Sequence, residues 1–148
     1  KQARKEDRIY LCEGAPDVFR LCLLGHNNAV ACLGSSWTDE QFKLILRHTS
    51  NIIFVPDIDP VRPENTSDPY IAAFGTGIGR VIALGQHAIE LGFSVFVKDI
   101  SSKEKSTGKK FDADSYFTFE DLANLKQERH IMLSSMLKET TTIQDLKK

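Results

Sequence analysis

Glu13 closes an apolar run, Tyr10-Leu11-Cys12, and the pair Asp57-Ile58-Asp59 closes another, Asn51-Ile52-Ile53-Phe54-Val55, after Pro56. Parallel α/β sheets keep their reactive groups at the carboxyl ends of strands, so these acids are placed to meet in one crevice. Two like charges about 4 Å apart repel by roughly 4 kcal/mol at an effective dielectric of about 20. Such acids stay ionised together only beside a cation; otherwise one of them holds a proton. Oxygen-only donors suit Mg²⁺ or Mn²⁺, the metals of phosphate chemistry. The residue types alone point to a metal-assisted catalytic site centred on Glu13, Asp57 and Asp59.

The elements that must position these acids alternate from Ile9 to about Val97. Ile9 to Cys12 reads as a buried strand, and Pro16 and Gly25 bracket a helix over Asp17 to Leu24. Ala29 to Leu33 is a second strand, stopped by Gly34-Ser35-Ser36. Thr38-Asp39-Glu40-Gln41 is a capping box, and Phe42, Ile45 and Leu46 give the helix it opens an apolar face. Ile52 to Val55 makes the third strand. Pro60 to Gly77, with Pro63, Pro69 and a polar run between them, reads as an irregular loop. Helical periodicity resumes near Arg80 and ends at Gly92, and Phe93 to Val97 is a fourth strand. A polar loop over 101–110 and Asp112-Ala113-Asp114 follow, then a helix opened by Thr118. Strands separated by short helices predict an α/β fold: a small, mostly parallel sheet of about four strands with helices on both faces.

The 148 residues suffice for one domain with a real core, and 41% apolar with 26% charged residues is ordinary for a globular chain. No apolar run is long enough to span a membrane, and the basic start, Lys1 to Lys5, has no apolar stretch behind it. Because the chain opens on Lys1 rather than Met, it reads as a piece of something longer. Cys12, Cys22 and Cys32 lack CxxC spacing and fit buried thiols of a reducing cytosol, so the expected location is cytoplasmic. A net charge of −1 argues against broad electrostatic capture of nucleic acid. Locally, Lys98, Lys103, Lys105, Lys109 and Lys110 crowd one segment; Lys109 and Lys110 suit a phosphate, with a solvated face as the plainer reading.

Glu13-Gly14-Ala15-Pro16-Asp17-Val18, then Asn28 to Ser36, then Asp57-Ile58-Asp59 form an ordered series. Together they resemble the Toprim domain, and within it the bacterial DnaG-type primases and related primase–helicases. The resemblance rests on an E-G-x-x-D motif, a V-A-x-L-G-[ST] strand one helix later, a D-x-D, and a further D-x-D matched by Asp112 and Asp114. It implies nucleotidyl transfer, the joining of nucleoside triphosphates into an RNA primer on a single-stranded DNA template. Glu13 would be a metal ligand or the acid–base group, and Asp57 and Asp59 the principal metal ligands. Asp112 and Asp114 would serve a second ion, Mg²⁺ or Mn²⁺, with Asp17 in the outer shell. A replicative helicase is an implied partner and a membrane is not. On this reading residues 1–8 are a basic N-terminal segment and 9–128 the Toprim-like catalytic domain, with an insertion loop at about 60–77. Residues 129–148 are a C-terminal helix and frayed tail. The isolated segment is expected to bind metal and nucleotide without full activity.

Other readings of the same residues stand beside this one. Asp17 in the first turn of its helix is stabilised there by the helix dipole whatever its role. Asp112 and Asp114 are also in place to cap the helix that follows. Gly75-Thr76-Gly77-Ile78-Gly79 lacks the preceding strand of a dinucleotide fingerprint and is expected to be a flexible loop. The four histidines show no ligand spacing. Trp37, beside a helix start, is read as a core ring, with stacking on a base as the alternative. Asp57-Ile58-Asp59-Pro60-Val61 also resembles the D-x-D-x-[TV] motif of haloacid-dehalogenase-like phosphatases. A Toprim nuclease would use the same acids, and a non-catalytic module for binding DNA or a replication partner would keep only the fold.

Overall fold

Short runs rich in Ile, Val, Phe and Tyr pair readily when both faces of a sheet are covered. A computed structural model of the chain, which describes residues 1–32, 34, 36–57, 66–98 and 130–133, forms four of them into parallel strands: β1 (Ile9–Cys12), β2 (Ala29–Ala31), β3 (Asn51–Val55) and β4 (Ser94–Lys98). A fifth, β5 (His130–Met132), adds antiparallel to β4, giving the order β2-β1-β3-β4-β5. The registers are in step, with Cys12 opposite Val55 and Phe54 opposite Val97, so the carboxyl ends of β1, β3 and β4 lie side by side.

The helices are α1 (Gln2–Glu6), α2 (Ala15–Leu23), α3 (Asp39–Leu46), α4 (Pro69–Phe74) and α5 (Thr76–Glu90). Alternation along the strands sends side chains to two separate cores. Leu11, Ile52, Phe54, Val95 and Val97 pack with Phe42 and Ile45 of α3 and with Val81, Ile82 and Ala88 of α5. Tyr10, Cys12, Ile53 and Val55 pack with Leu21 of α2 on the opposite face. The expected two-sided α/β sheet is therefore present. The start of α3 is also as expected: Thr38 N–H donates to Gln41 Oε1 at 2.8 Å, and Gln41 N–H donates to Thr38 Oγ1 at 3.3 Å. Gly25 and Gly92, just past the ends of α2 and α5, take φ of 90° and 101°, the left-handed turn that favours glycine.

Three expectations need correction. The stretch from Pro60 to Gly77 is not irregular throughout, because α4 lies within it. Asp68 accepts from the backbone N–H of Tyr70 and Ile71 as its N-cap, and Pro69 fills the first helical position. Gly75 to Gly79 is not a flexible loop: α5 starts at Thr76, before the expected Arg80, with Gly77 and Gly79 buried inside its first turns. Finally, the region from 129, read as helix, begins with β5. Ile131-Met132-Leu133 is too short an apolar run to tell strand from helix by period. Pairing there covers the edge of β4, and Leu133 is fully buried against the Cα of Gly85.

One polar link joins the two helices of the larger core. His87 Nε2 lies 2.7 Å from Asp39 Oδ1, and Glu90 lies near the other ring nitrogen. The hydrogen bond to Asp39 raises the His87 pKa above its ordinary 6.5, with the Asp39 and Glu90 charges adding to it against partial desolvation. The imidazolium is thus favoured in the folded state. The link contributes fully below the unfolded value and is lost as pH rises through the raised folded value. His87→Gln should lower the melting temperature in mildly acidic buffer and leave it nearly unchanged well above neutrality. Equal losses at both pH values would assign the effect to packing instead.

Candidate active site

Glu13 stands one residue beyond β1, where the chain turns into α2. Pro16 sits in the first turn of that helix and Gly14 is its N-cap. Gly14 N–H donates to Asp17 Oδ2 at 3.1 Å, and Asp17 is only 6% exposed. Asp17 thereby ties down the turn that carries Glu13. Asp57 lies two residues beyond β3, past the buried Pro56. Because β1 and β3 are adjacent and in register, the two acids share one edge: Asp57 N–H donates to Glu13 Oε1 at 3.3 Å. The chain leaves β1 for β2 on one side, then crosses to β3 on the other. That reversal makes the edge between β1 and β3 a topological switch point, the place where open α/β sheets bind ligands.

The first turn of α5 closes on the same edge. A Cβ on Gly77 would lie 2.0 Å from the Asp57 carbonyl oxygen and 3.4 Å from Glu13 Oε1. Only a glycine lets the helix approach this closely, and it brings the positive end of the helix dipole toward the carboxylates. Sequence reasoning missed this role. The available signal is a pair of glycines, Gly77 and Gly79, spaced by two immediately before a helical period.

Lys98 also departs from the expectation for the lysine-rich segment. It ends β4 one residue past the Phe54–Val97 pair and is 2% exposed. A buried ammonium needs negative charge near it. Cys12, buried on the same sheet, reports such charge: burial pushes its thiol far up, Asp17 and Asp57 push the same way, and Lys98 opposes them. Cys12 therefore stays a protonated packing group, and Asp17, Asp57 and Lys98 share its neighbourhood. The clue in sequence was a lysine ending an otherwise apolar strand. Cys22 and Cys32 are free thiols but only half-buried, unlike the fully buried cysteines expected.

Of the predicted site residues, Glu13 and Asp57 are brought together, and Asp17 accepts from the Gly14 N–H in the turn next to Glu13. Asp59, Asp112, Asp114, Lys109 and Lys110 lie outside the described residues. Among the described residues, no three His, Cys, Asp or Glu side chains converge to hold a metal.

Residues 10–61, which hold both Glu13 and Asp57, match the Toprim-like family model. The DNA primase of Staphylococcus aureus is 32% identical over 122 residues, 80% of this chain and 18% of that protein. The DNA primase of Halalkalibacterium halodurans is 40% identical over 63 residues, 43% of this chain and 10% of that protein. The chain thus spans less than a fifth of the curated relatives it matches. Among solved structures, the DnaG primase catalytic domain bound to ssDNA superposes with a TM-score of 0.59 at 23% identity, over 97% of this chain and 41% of that one. The Aquifex aeolicus primase, comprising zinc-binding and RNA polymerase domains, gives 0.62 at 20% identity, over 95% of this chain and 32% of that one. These structural likenesses speak to the fold. Motif order, sheet and relatives agree, and the chain is a Toprim domain of the DnaG-type primase family.

Proposed function

We propose that the acids beyond β1 and β3 hold Mg²⁺ or Mn²⁺, and that the domain is the metal-binding core of a primase. Within a longer protein it would join nucleoside triphosphates into RNA primers on single-stranded DNA. The observation that carries this reading is the meeting of Glu13 and Asp57 at the switch point, linked by the Asp57 N–H. Their carboxylate oxygens are the hard donors that such cations prefer. Asp59, Asp112 and Asp114 would complete the ligand set, with Lys109 and Lys110 on the phosphates. A bound divalent ion supplies a lowered pKa for the attacking hydroxyl and charge neutralisation for the leaving pyrophosphate. The chain's own part is to fix the donors. Asp17 holds the Gly14 turn, the Asp57 N–H orients Glu13, and Gly77 lets the first turn of α5 come close against the edge.

The relatives named DNA primase favour bond making over a nuclease or phosphatase use of the same acids. The neighbour solved with ssDNA supports a single-stranded template as partner. A replicative helicase and a cytoplasmic setting accompany the primase reading. No helix among the described residues is long and apolar enough to cross a membrane. The test is calorimetric titration of Mn²⁺ into the wild-type domain and into Asp57→Ala/Asp59→Ala. Binding that disappears in the folded double variant is expected. Absence of binding to the folded wild type would move the assignment to a non-catalytic module for DNA or a replication partner.

A further inference from the structure

A second feature opens beside Glu13, on the sheet face away from Asp17. A cavity of about 190 Å³ lies between the carboxyl ends of β1 and β3 and the helix α5. Its depth is apolar, formed by Leu11, Phe54, Val81 and Leu84. Its mouth carries the Glu13 carboxylate, the Arg80 guanidinium and the Ser36 hydroxyl, and the half-buried Trp37 lines one side. The size decides what fits. A cavity of about 150 Å³ accommodates benzene, whereas sites for whole drug-sized ligands run from about 300 to 1,000 Å³. One flat ring system enters, and the rest of its molecule stays outside among the polar groups.

We propose that this cavity is a nucleobase pocket, in which the base lies against Trp37 while its sugar and phosphate face Glu13 and Arg80. The proposal deepens the metal-site reading and rests on it for the placement of the phosphates. Three features converge on this ligand class. An indole offers a stacking surface indifferent to base identity. An exposed guanidinium at the mouth suits a phosphate. Glu13 lines both the acid edge and the cavity, so one nucleotide reaches both. The base comes from either a free nucleotide or a single-stranded template, and the pocket chemistry is the same for both.

Trp37 is the chain's single tryptophan and lines both this cavity and a second one beside Ile9 and Val30. Its emission therefore reports on ligands next to it, and Leu84→Phe, which alters only the first cavity, assigns the site. The domain is titrated without metal with AMP, with a short deoxyadenosine oligonucleotide, and with inorganic tripolyphosphate as a base-free control, all corrected for absorbance. Saturable quenching by AMP or by the oligonucleotide, and none by tripolyphosphate, is expected. Whichever of the two quenches identifies the source of the base. By equilibrium dialysis, Trp37→Ala should weaken that binding by roughly 5–100-fold, and Trp37→Phe should restore most of it. If Trp37→Ala fails to fold, Leu84→Phe, which narrows the cavity from α5, should weaken binding comparably. No saturable quenching by either base-containing probe, or binding indifferent to these variants, overturns the pocket. Mn²⁺ binding measured separately keeps the two readings distinct: a metal-binding domain that ignores AMP and the oligonucleotide loses the pocket alone.

Discussion

Replacing Asp57 and Asp59 together by alanine in the whole protein that carries this domain is expected to reduce primer synthesis by at least about a thousandfold. A metal site contributes several kcal/mol of transition-state stabilisation, and each 1.36 kcal/mol is about tenfold in rate. On the proposed role of Asp57 and Asp59 as principal metal ligands, losing both removes roughly 4 kcal/mol or more on that scale. The fold should survive, because the paired residues of β3 end at Val55 and the Asp57 N–H that reaches Glu13 belongs to the backbone. An unchanged melting curve together with lost synthesis is therefore the expected pair of results. Glu13→Gln keeps the hydrogen-bond acceptor and removes the charge, so it should fall between wild type and the double variant. Synthesis retained by the folded Asp57→Ala/Asp59→Ala protein would overturn the catalytic assignment.

What could be read from sequence follows from what is local. Apolar runs broken by caps specify strands and helices, so β1 to β4, the Thr38–Gln41 box and the two-sided sheet were legible. Glu13 and Asp57 were legible as partners because the ends of neighbouring parallel strands are a topological consequence of the element order. The misses are long-range. Gly77 looks like any loop glycine until the Asp57 carbonyl is seen against its Cα, twenty residues away in the chain. Lys98 looks solvated until the burial of β4 between β3 and β5 is known. β5 is three residues long, and its identity comes from the edge it covers rather than from its own composition. Trp37 reads from sequence as a core ring, and it does pack near Phe42, at 6.2 Å between ring centroids; that it also lines a cavity depends on α5, which sequence spacing does not place beside it.

The glycine carries the second large effect. Gly77→Ala places a Cβ where the Asp57 carbonyl oxygen stands 2.0 Å away, far inside any real contact. In an ordinary helix position this change would help by up to about 1 kcal/mol. Here the obstacle is backbone at the end of a central strand, which has no rotamer with which to retreat. Either α5 or the Asp57 peptide must move, and overpacking of this kind costs about 1–3 kcal/mol. For a chain near 150 residues that lowers the melting midpoint by roughly 3–10 °C. Gly85→Ala is the informative contrast. Its Cβ would crowd the far end of the Leu133 side chain and lie 3.2 Å from Val95 Cγ1, side chains rather than backbone, so repacking and the helix gain offset part of the crowding and the midpoint should shift less. The two variants also separate in function. Displacing the Asp57 peptide disturbs the N–H that orients Glu13, so Gly77→Ala should weaken Mn²⁺ binding at temperatures where the protein is still folded. Gly85 faces Leu133 and Val95, away from the acids, and its variant should bind metal as the wild type does. Equal metal affinity in both folded variants would mean that α5 does not shape the acid edge.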